Sequence, residues 1–207
     1  MATHRIDTFT RIYSGLREEL RDARLGPGAQ IRVDQTAQRY GTSATPVREA
    51  LARLVGERLV VGDRSHGYYV PCLSGDAIRD LLTVNELLVM AALRARRSAQ
   101  LSGELEAHMR GDSLMLAILD SADAPILTDA GRLAFERLAQ MRAVEEDVLD
   151  PSGQREASDA PDQSASSGGT AGYVRRYHAR RRRVAAALAR VIARRAAPPR
   201  EYIPDIV

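Results

Sequence analysis

Near the N-terminus, the run Gly41-Thr42-Ser43-Ala44-Thr45-Pro46-Val47-Arg48-Glu49-Ala50-Leu51 restricts this chain more than any other stretch. Gly41 ends a short helix, because glycine takes a left-handed backbone without strain. Ser43 or Thr45 can cap the next helix, and Pro46 suits its first turn, where a missing N–H costs nothing. Val47, Ala50, Leu51 and Leu54 then share one face, leaving Arg48, Ala52 and Arg53 more exposed. Two short helices joined by a tight turn read as a helix-turn-helix. A basic residue on the open first turn of its second helix can reach a base edge or a phosphate in the major groove.

The flanking residues extend this pattern. Over residues 8–25, Ile12, Leu16 and Leu20 form a stripe at helical spacing, and Gly26-Pro27-Gly28 breaks it. Ile31 and Val33 lead to Asp34, an expected N-cap for a short helix ending near Tyr40. The second helix of the motif runs to about Arg58. Leu59-Val60-Val61 and Tyr68-Tyr69-Val70 read as two strands around the turn-rich residues 62–67. Three helices followed by a β-hairpin is the winged helix-turn-helix order, expected over residues 1–73.

From Ser74 the pattern becomes helical, and the fold class expected is mainly α, a winged helix followed by an all-helical bundle. Ser74 can cap a helix in which Ile78, Leu81, Leu82, Asn85, Leu88 and Ala92 share a face. Further helices are expected over 102–119, with Gly111 as a weak point, and over 127–148, with Leu133, Leu138 and Met141 inward. Residues 74–149 thus form the first part of an effector or dimerisation domain. Residues 150–172, rich in Ser, Gly, Asp and Ala, cannot offset their ordering entropy and read as a flexible insertion. Residues 173–207 hold a basic helix, ended by Pro198-Pro199, that completes the bundle.

Charge is unevenly distributed. Arg against Asp plus Glu is 11 to 8 in residues 1–74, 8 to 14 in 75–150 and 11 to 5 in 151–207, or +3, −6 and +6. A basic head and an acidic middle fit a DNA-binding module joined to a domain of another kind. All 30 basic side chains are Arg; codon bias explains this better than selection for bidentate phosphate contacts. The arginines at 175, 176 and 180–183 suit docking against Glu145 and Glu146 more than a second DNA site. The single Cys72 excludes an intrachain disulfide and fits a reducing cytoplasm. No signal core or transmembrane run is visible, so a soluble cytoplasmic protein is expected, with no membrane partner.

Residues 8–74 resemble the winged-helix domain of GntR-family bacterial transcription regulators. The matching residues are Leu25-Gly26-Pro27-Gly28, Tyr40-Gly41-Thr42-Ser43, Thr45-Pro46-Val47-Arg48-Glu49-Ala50-Leu51, Leu59-Val60 and His66-Gly67. The helical remainder is similar to the FadR-like branch, whose members carry a helical ligand-binding and dimerisation (FCD-type) domain. The resemblance implies a homodimer on a short, palindrome-like double-stranded DNA operator, more often a repressor than an activator. It implies DNA contacts from Ser43, Thr45 and Arg48, with Arg32 and Arg53 nearby and Arg64, His66 and Gly67 at the wing tip. His66 also reads as an ordinary polar turn residue.

This chain departs from its relatives in several places. Many relatives have Arg where Ala44 stands, and some have another where Asp34 stands; Arg32 and Arg39 are candidates to compensate. Many relatives also bind a divalent metal through an Asp, a His four residues later and two further His. Here Arg132 and Glu136 take the first two places, and His178 alone matches a later one. One His and one Glu are not a ligand set, so no metal or other cofactor is expected. His178 among arginines reads as solvated more readily than as a ligand. The resemblance implies a small carboxylate effector, with Arg79, Arg94, Arg97 or His178 as contacts. A degenerate, non-sensing dimerisation or interaction domain is the alternative. An enzyme is not expected: fusions of such heads to aminotransferase-like domains need a cofactor lysine, and this chain has none.

Overall fold

The computed structural model describes residues 7–63, 66–95, 111–149 and 167–196. The chain divides into two units, Met1–Leu73 with Ala139–Ala143 and Arg190–Val207, and Ser74–Leu138 with Val144–Ala189.

In the first unit Asp7 opens α1 (Thr8–Arg21). Its carboxylate accepts from the backbone N–H groups of Phe9 at 2.6 Å and Thr10 at 3.2 Å, two donors the helix cannot satisfy itself. Ile12, Leu16 and Leu20 are buried as their spacing predicts. The helix ends at Arg21 rather than near 25, and a turn through Gly28 leads into β1 (Gln30–Ile31), a strand too short for periodicity to reveal. Helix α2 (Val33–Tyr40) starts one residue before Asp34, so Arg32 holds the capping position, with no side-chain bond. Asp34 sits inside the first turn, where the backbone N–H of Gln35 holds its carboxyl below the usual pKa.

Gly41 ends α2 at φ 60°, ψ 44°. The N–H groups of Gly41 and Thr42 return to the carbonyls of Gln38 and Ala37 at 3.1 and 3.0 Å, closing the helix end before α3 (Ala44–Gly56). Both α1 and α2 pack on α3. The Tyr40 hydroxyl lies against Gly15 of α1, where any Cβ would overlap it, and Arg11 donates to the Tyr40 carbonyl at 2.8 Å. The sheet has the order β1-β3-β2, all antiparallel, with β2 spanning Val61–Asp63 and β3 spanning Gly67–Tyr69. Leu59 and Val60, expected in the strand, instead give their N–H groups to the Leu54 carbonyl and finish α3; both are buried.

The second unit begins with α4 (Gly75–Ala95), capped as expected by Ser74, whose hydroxyl accepts from the Ala77 N–H at 3.1 Å. It packs against α5 (Gly111–Asp120), α6 (Pro125–Arg137) and α8 (Ser167–Arg183). Helices α7 (Ala139–Leu149) and α9 (Ala185–Arg195) complete the described elements. The core joins Val89, Met90 and Ala92 of α4 to Leu114, Met115, Ile118 and Leu119 of α5, Phe135 of α6, and Tyr173, Val174 and Tyr177 of α8. Gly131 lets α6 approach α5 so closely that a Cβ there would overlap the Leu119 side chain.

Three expectations need correction. The helix expected over 127–148 is two helices meeting at Leu138, whose N–H bonds the carbonyl of Phe135 three residues back at 3.1 Å. Leu138 and Met141 are buried, but Ala134 and Phe135 take the inner places, and Leu133 is only half-buried. The C-terminal basic helix is likewise split at Val184, whose N–H reaches Arg181. Finally, α8 begins at Ser167, so residues 167–172 are helical and not insertion. Thr170, Tyr173 and Val174 pack inside, and that burial outweighs a glycine-rich first turn. Residues 102–110 and 150–166, also named in these expectations, lie outside the described residues.

Candidate nucleic-acid interface

Helix α3 divides into two faces. Val47, Ala50, Leu51 and Leu54 are 0% exposed, and Ser43, Thr45, Arg48, Glu49 and Arg53 face solvent. Ser43 occupies the cap with extended backbone (φ −81°, ψ 170°) but makes no side-chain cap bond, and Thr45 lies inside the first turn. The hydroxyl cap expected from one of these two is therefore absent. Among the described residues neither hydroxyl has a hydrogen-bond partner, and no carboxylate pairs with Arg48. The first N–H groups of α3, two hydroxyls and a guanidinium one turn further in thus form one open polar surface. Such a helix end attracts anions through its aligned N–H groups.

Arg53 is held differently. Its Nε donates to Glu57 at 3.2 Å, and its guanidinium carbon sits 4.3 Å from the centre of the Tyr13 ring. The Tyr13 hydroxyl donates to the same Glu57 carboxylate at 2.7 Å, and Arg17 donates to the Tyr13 oxygen at 2.9 Å. Burial first, and the Glu57 carboxylate second, push the Tyr13 hydroxyl above its ordinary pKa. Arg53 thus braces the end of α3 on α1. Sequence reading missed this cluster because Tyr13 and Glu57 are far apart along the chain. Arg39, a candidate to replace a missing contact, pairs with Glu19 at 3.0 Å. Arg32 is exposed and pairs loosely with Asp34 at 3.5 Å.

At the hairpin, Arg64 lies outside the described residues, and His66 is exposed. Gly62 and Gly67 have φ of 109° and 90°, and a Cβ on Gly62 would overlap the Gly67 carbonyl oxygen. The two strands approach as closely as they do because Gly62 carries no Cβ, and Gly67 serves the turn through its positive φ. Arg58, which sequence reading passed over, leaves α3 at φ 57° with its side chain exposed.

Among the described residues, those named for an effector do not converge. Arg79 pairs with Asp76, Arg94 is exposed, and Arg97 lies outside the described residues. His178 is 0% exposed, which corrects its reading as a solvated histidine. Its Nδ1 lies 2.7 Å from the Val174 carbonyl and its Nε2 lies 2.9 Å from Asn85 Oδ1, while Asn85 donates to the Gly131 carbonyl at 3.4 Å. Burial lowers its pKa to about 4, so the ring is neutral near pH 7. Of the six arginines expected to dock on acids, Arg181 does so on Glu145 and Arg182 on Glu86, whereas Arg175, Arg176 and Arg183 are exposed; Tyr177 donates to Asp112.

These residues do not fit the divalent metal of the resemblance. Both ring nitrogens of His178 are engaged within the protein, and Arg132 is paired with Asp120 at 2.6 Å. Among the described residues no three His, Cys, Asp or Glu side chains gather. No described helix is long and apolar enough to cross a membrane.

Comparison with known proteins agrees with this geometry. Residues 8–70 match the family model described as "Bacterial regulatory proteins, gntR family". The chain is similar to the uncharacterized HTH-type transcriptional regulator BphR of Paraburkholderia xenovorans (strain LB400), at 33% identity over 110 residues, 52% of this chain and 44% of that protein. It is also similar to the HTH-type transcriptional repressor GlaR of Escherichia coli (strain K12), at 28% identity over 114 residues, 54% of this chain and 50% of that one. The chain therefore spans about half the length of the curated relatives it matches. A putative GntR regulator from Rhodococcus sp. RHA1 shares the fold with a TM-score of 0.62 at 15% identity, covering 89% of this chain and 97% of that one. The names given to the family and to these relatives describe regulators, not enzymes. Residues 8–70 of this chain are a GntR-family helix-turn-helix domain, followed by a helical C-terminal region.

Proposed function

We propose that this chain is a sequence-specific DNA-binding transcription regulator that acts as a homodimer on a short palindrome-like operator, with repression as its mode. The observation that carries the reading is α3, buried along one face and presenting Ser43, Thr45 and Arg48 without partners among the described residues on the other. The hydroxyls and the helix N-terminus suit a phosphate, and Arg48 suits a base edge in the major groove. The wing, with Arg64, His66 and Gly67, borders the minor groove. Arg32 adds charge near the backbone, and Arg53 contributes less because Glu57 holds it. A twofold dimer places two such helices on successive major grooves, which calls for a twofold operator. Repression is the mode because the relative GlaR bears that name.

Selection from a random double-stranded DNA pool at fixed moderate salt tests the reading. Enrichment of a palindromic motif is expected. Retention of DNA without sequence preference would sink it.

A second reading concerns the helical region, which either senses a small carboxylate or has lost sensing. The engaged nitrogens of His178 and the pairing of Arg79 and Arg132 favour a domain without metal-dependent sensing. Thermal-shift screening against carboxylates and divalent metals, with operator release as the second readout, separates the two.

A further inference from the structure

Among the described residues of the second unit, the outer face of α4 carries an uncovered apolar strip. Helix α4 turns Ile78, Leu82, Asn85, Val89 and Ala92 inward against α5, α6 and α8, while Leu87 is 65% and Val84 47% exposed. At about 100° per residue, Asp80, Val84, Leu87, Ala91 and Arg94 fall within an arc of about 80° on the outer face. Asp80 and Arg94 are both exposed, and among the described residues neither has an ion-pair partner. They cannot pair with each other, since fourteen residues of helix separate them by about 21 Å.

The spacing is symmetric: Asp80 and Arg94 each stand seven residues from Leu87. We propose that this face of α4 docks on the same face of a second copy of this chain, antiparallel and with the twofold axis at Leu87, so that each Asp80 meets the partner's Arg94. This rests on the homodimer reading above and names the surface that makes the dimer. A parallel crossing would set Asp80 against its own copy and Arg94 against its own, so charge selects the antiparallel one. In that arrangement Val84 faces the small Ala91 of the other copy, and the two Leu87 side chains meet at the centre. The strip is apolar in the middle and charged at both ends, the composition of an interface core and its rim.

The test is the association state of the full chain without DNA, followed by sedimentation equilibrium, for wild type, Asp80→Arg, Arg94→Asp, the double reversal and Leu87→Glu. All three positions are exposed, and circular dichroism melting verifies that each variant is folded. The wild type is expected to be a dimer. Each single reversal creates two like-charge contacts by symmetry and should weaken association by about tenfold or more, and the double reversal should restore it to within about threefold. Leu87→Glu should yield monomer. A monomeric wild type would overturn both the homodimer reading and this face. A dimeric wild type whose association is unchanged by the single reversals, or not restored by the double one, would overturn the face alone.

Discussion

The Tyr13 hydroxyl donates to Glu57 at 2.7 Å, tying the first helix to the far end of the helix that presents Arg48. Glu57 also receives Arg53, whose guanidinium lies over the Tyr13 ring, so one carboxylate and one ring fix where α3 ends. Removing the hydroxyl with Tyr13→Phe keeps the ring and deletes the donor. It should cost about 0.5–1.5 kcal/mol in urea unfolding, the usual net worth of such a bond. An unchanged midpoint would show that water replaces it freely.

The two exposed arginines of α3 should behave oppositely. Arg48 has no partner among the described residues, so Arg48→Ala should leave the melting temperature unchanged. It should also weaken specific binding by about 1–3 kcal/mol at fixed salt. Arg53→Ala should lower stability by about 0.5–1 kcal/mol through loss of the ring contact. Its effect on the operator should be the smaller of the two. Anisotropy titrations beside thermal melts separate these outcomes, and equal losses of affinity would contradict the division.

Gly62 combines a φ of 109° with a neighbouring carbonyl where its Cβ would stand. Alanine there meets both obstacles, and backbone cannot move aside as a side-chain tip can. Gly62→Ala should destabilise the first unit by about 2 kcal/mol or more. Hydrogen exchange should locate the loss in the hairpin, with protection at Tyr68 and Tyr69 falling first.

His178 predicts a dependence on pH. Burial lowers its pKa from 6.5 to about 4 in the fold, against the opposing influence of Glu86 and with that of Arg181 and Arg182. A base with a depressed pKa contributes stability that is whole above about pH 6.5 and is lost as pH falls towards 4, up to about 3 kcal/mol. The stability difference between wild type and His178→Gln should therefore shrink across that window. A difference that stays constant from pH 7 to 4.5 would contradict it.

What sequence could reveal depended on the range of the physics involved. The stripe Val47, Ala50, Leu51 and Leu54 and the left-handed Gly41 were legible because helical period and glycine geometry are local. Strand β1 was not, because two residues carry no period and pair only with β3, more than thirty residues away. The breaks at Leu138 and Val184 were hidden because neither carries glycine or proline. His178 looked solvated beside its arginines, yet Val174, Tyr177 and Arg181 all turn inward with it. The arginine could follow because Glu145 waits at the other end. The signal was the spacing of Val174, Tyr177 and Arg181, masked by charge.

Gly15 and Tyr40 share a single space between α1 and α2, the hydroxyl of one filling what the other lacks. Their tolerance to change is therefore joint. A larger residue at 15 becomes acceptable only once 40 is shortened, whereas shortening 40 alone leaves a hole beside a bare backbone. Among relatives that keep this head, the two positions should drift as a pair, and a graft that carries over only one of them would bring a clash or a void with it.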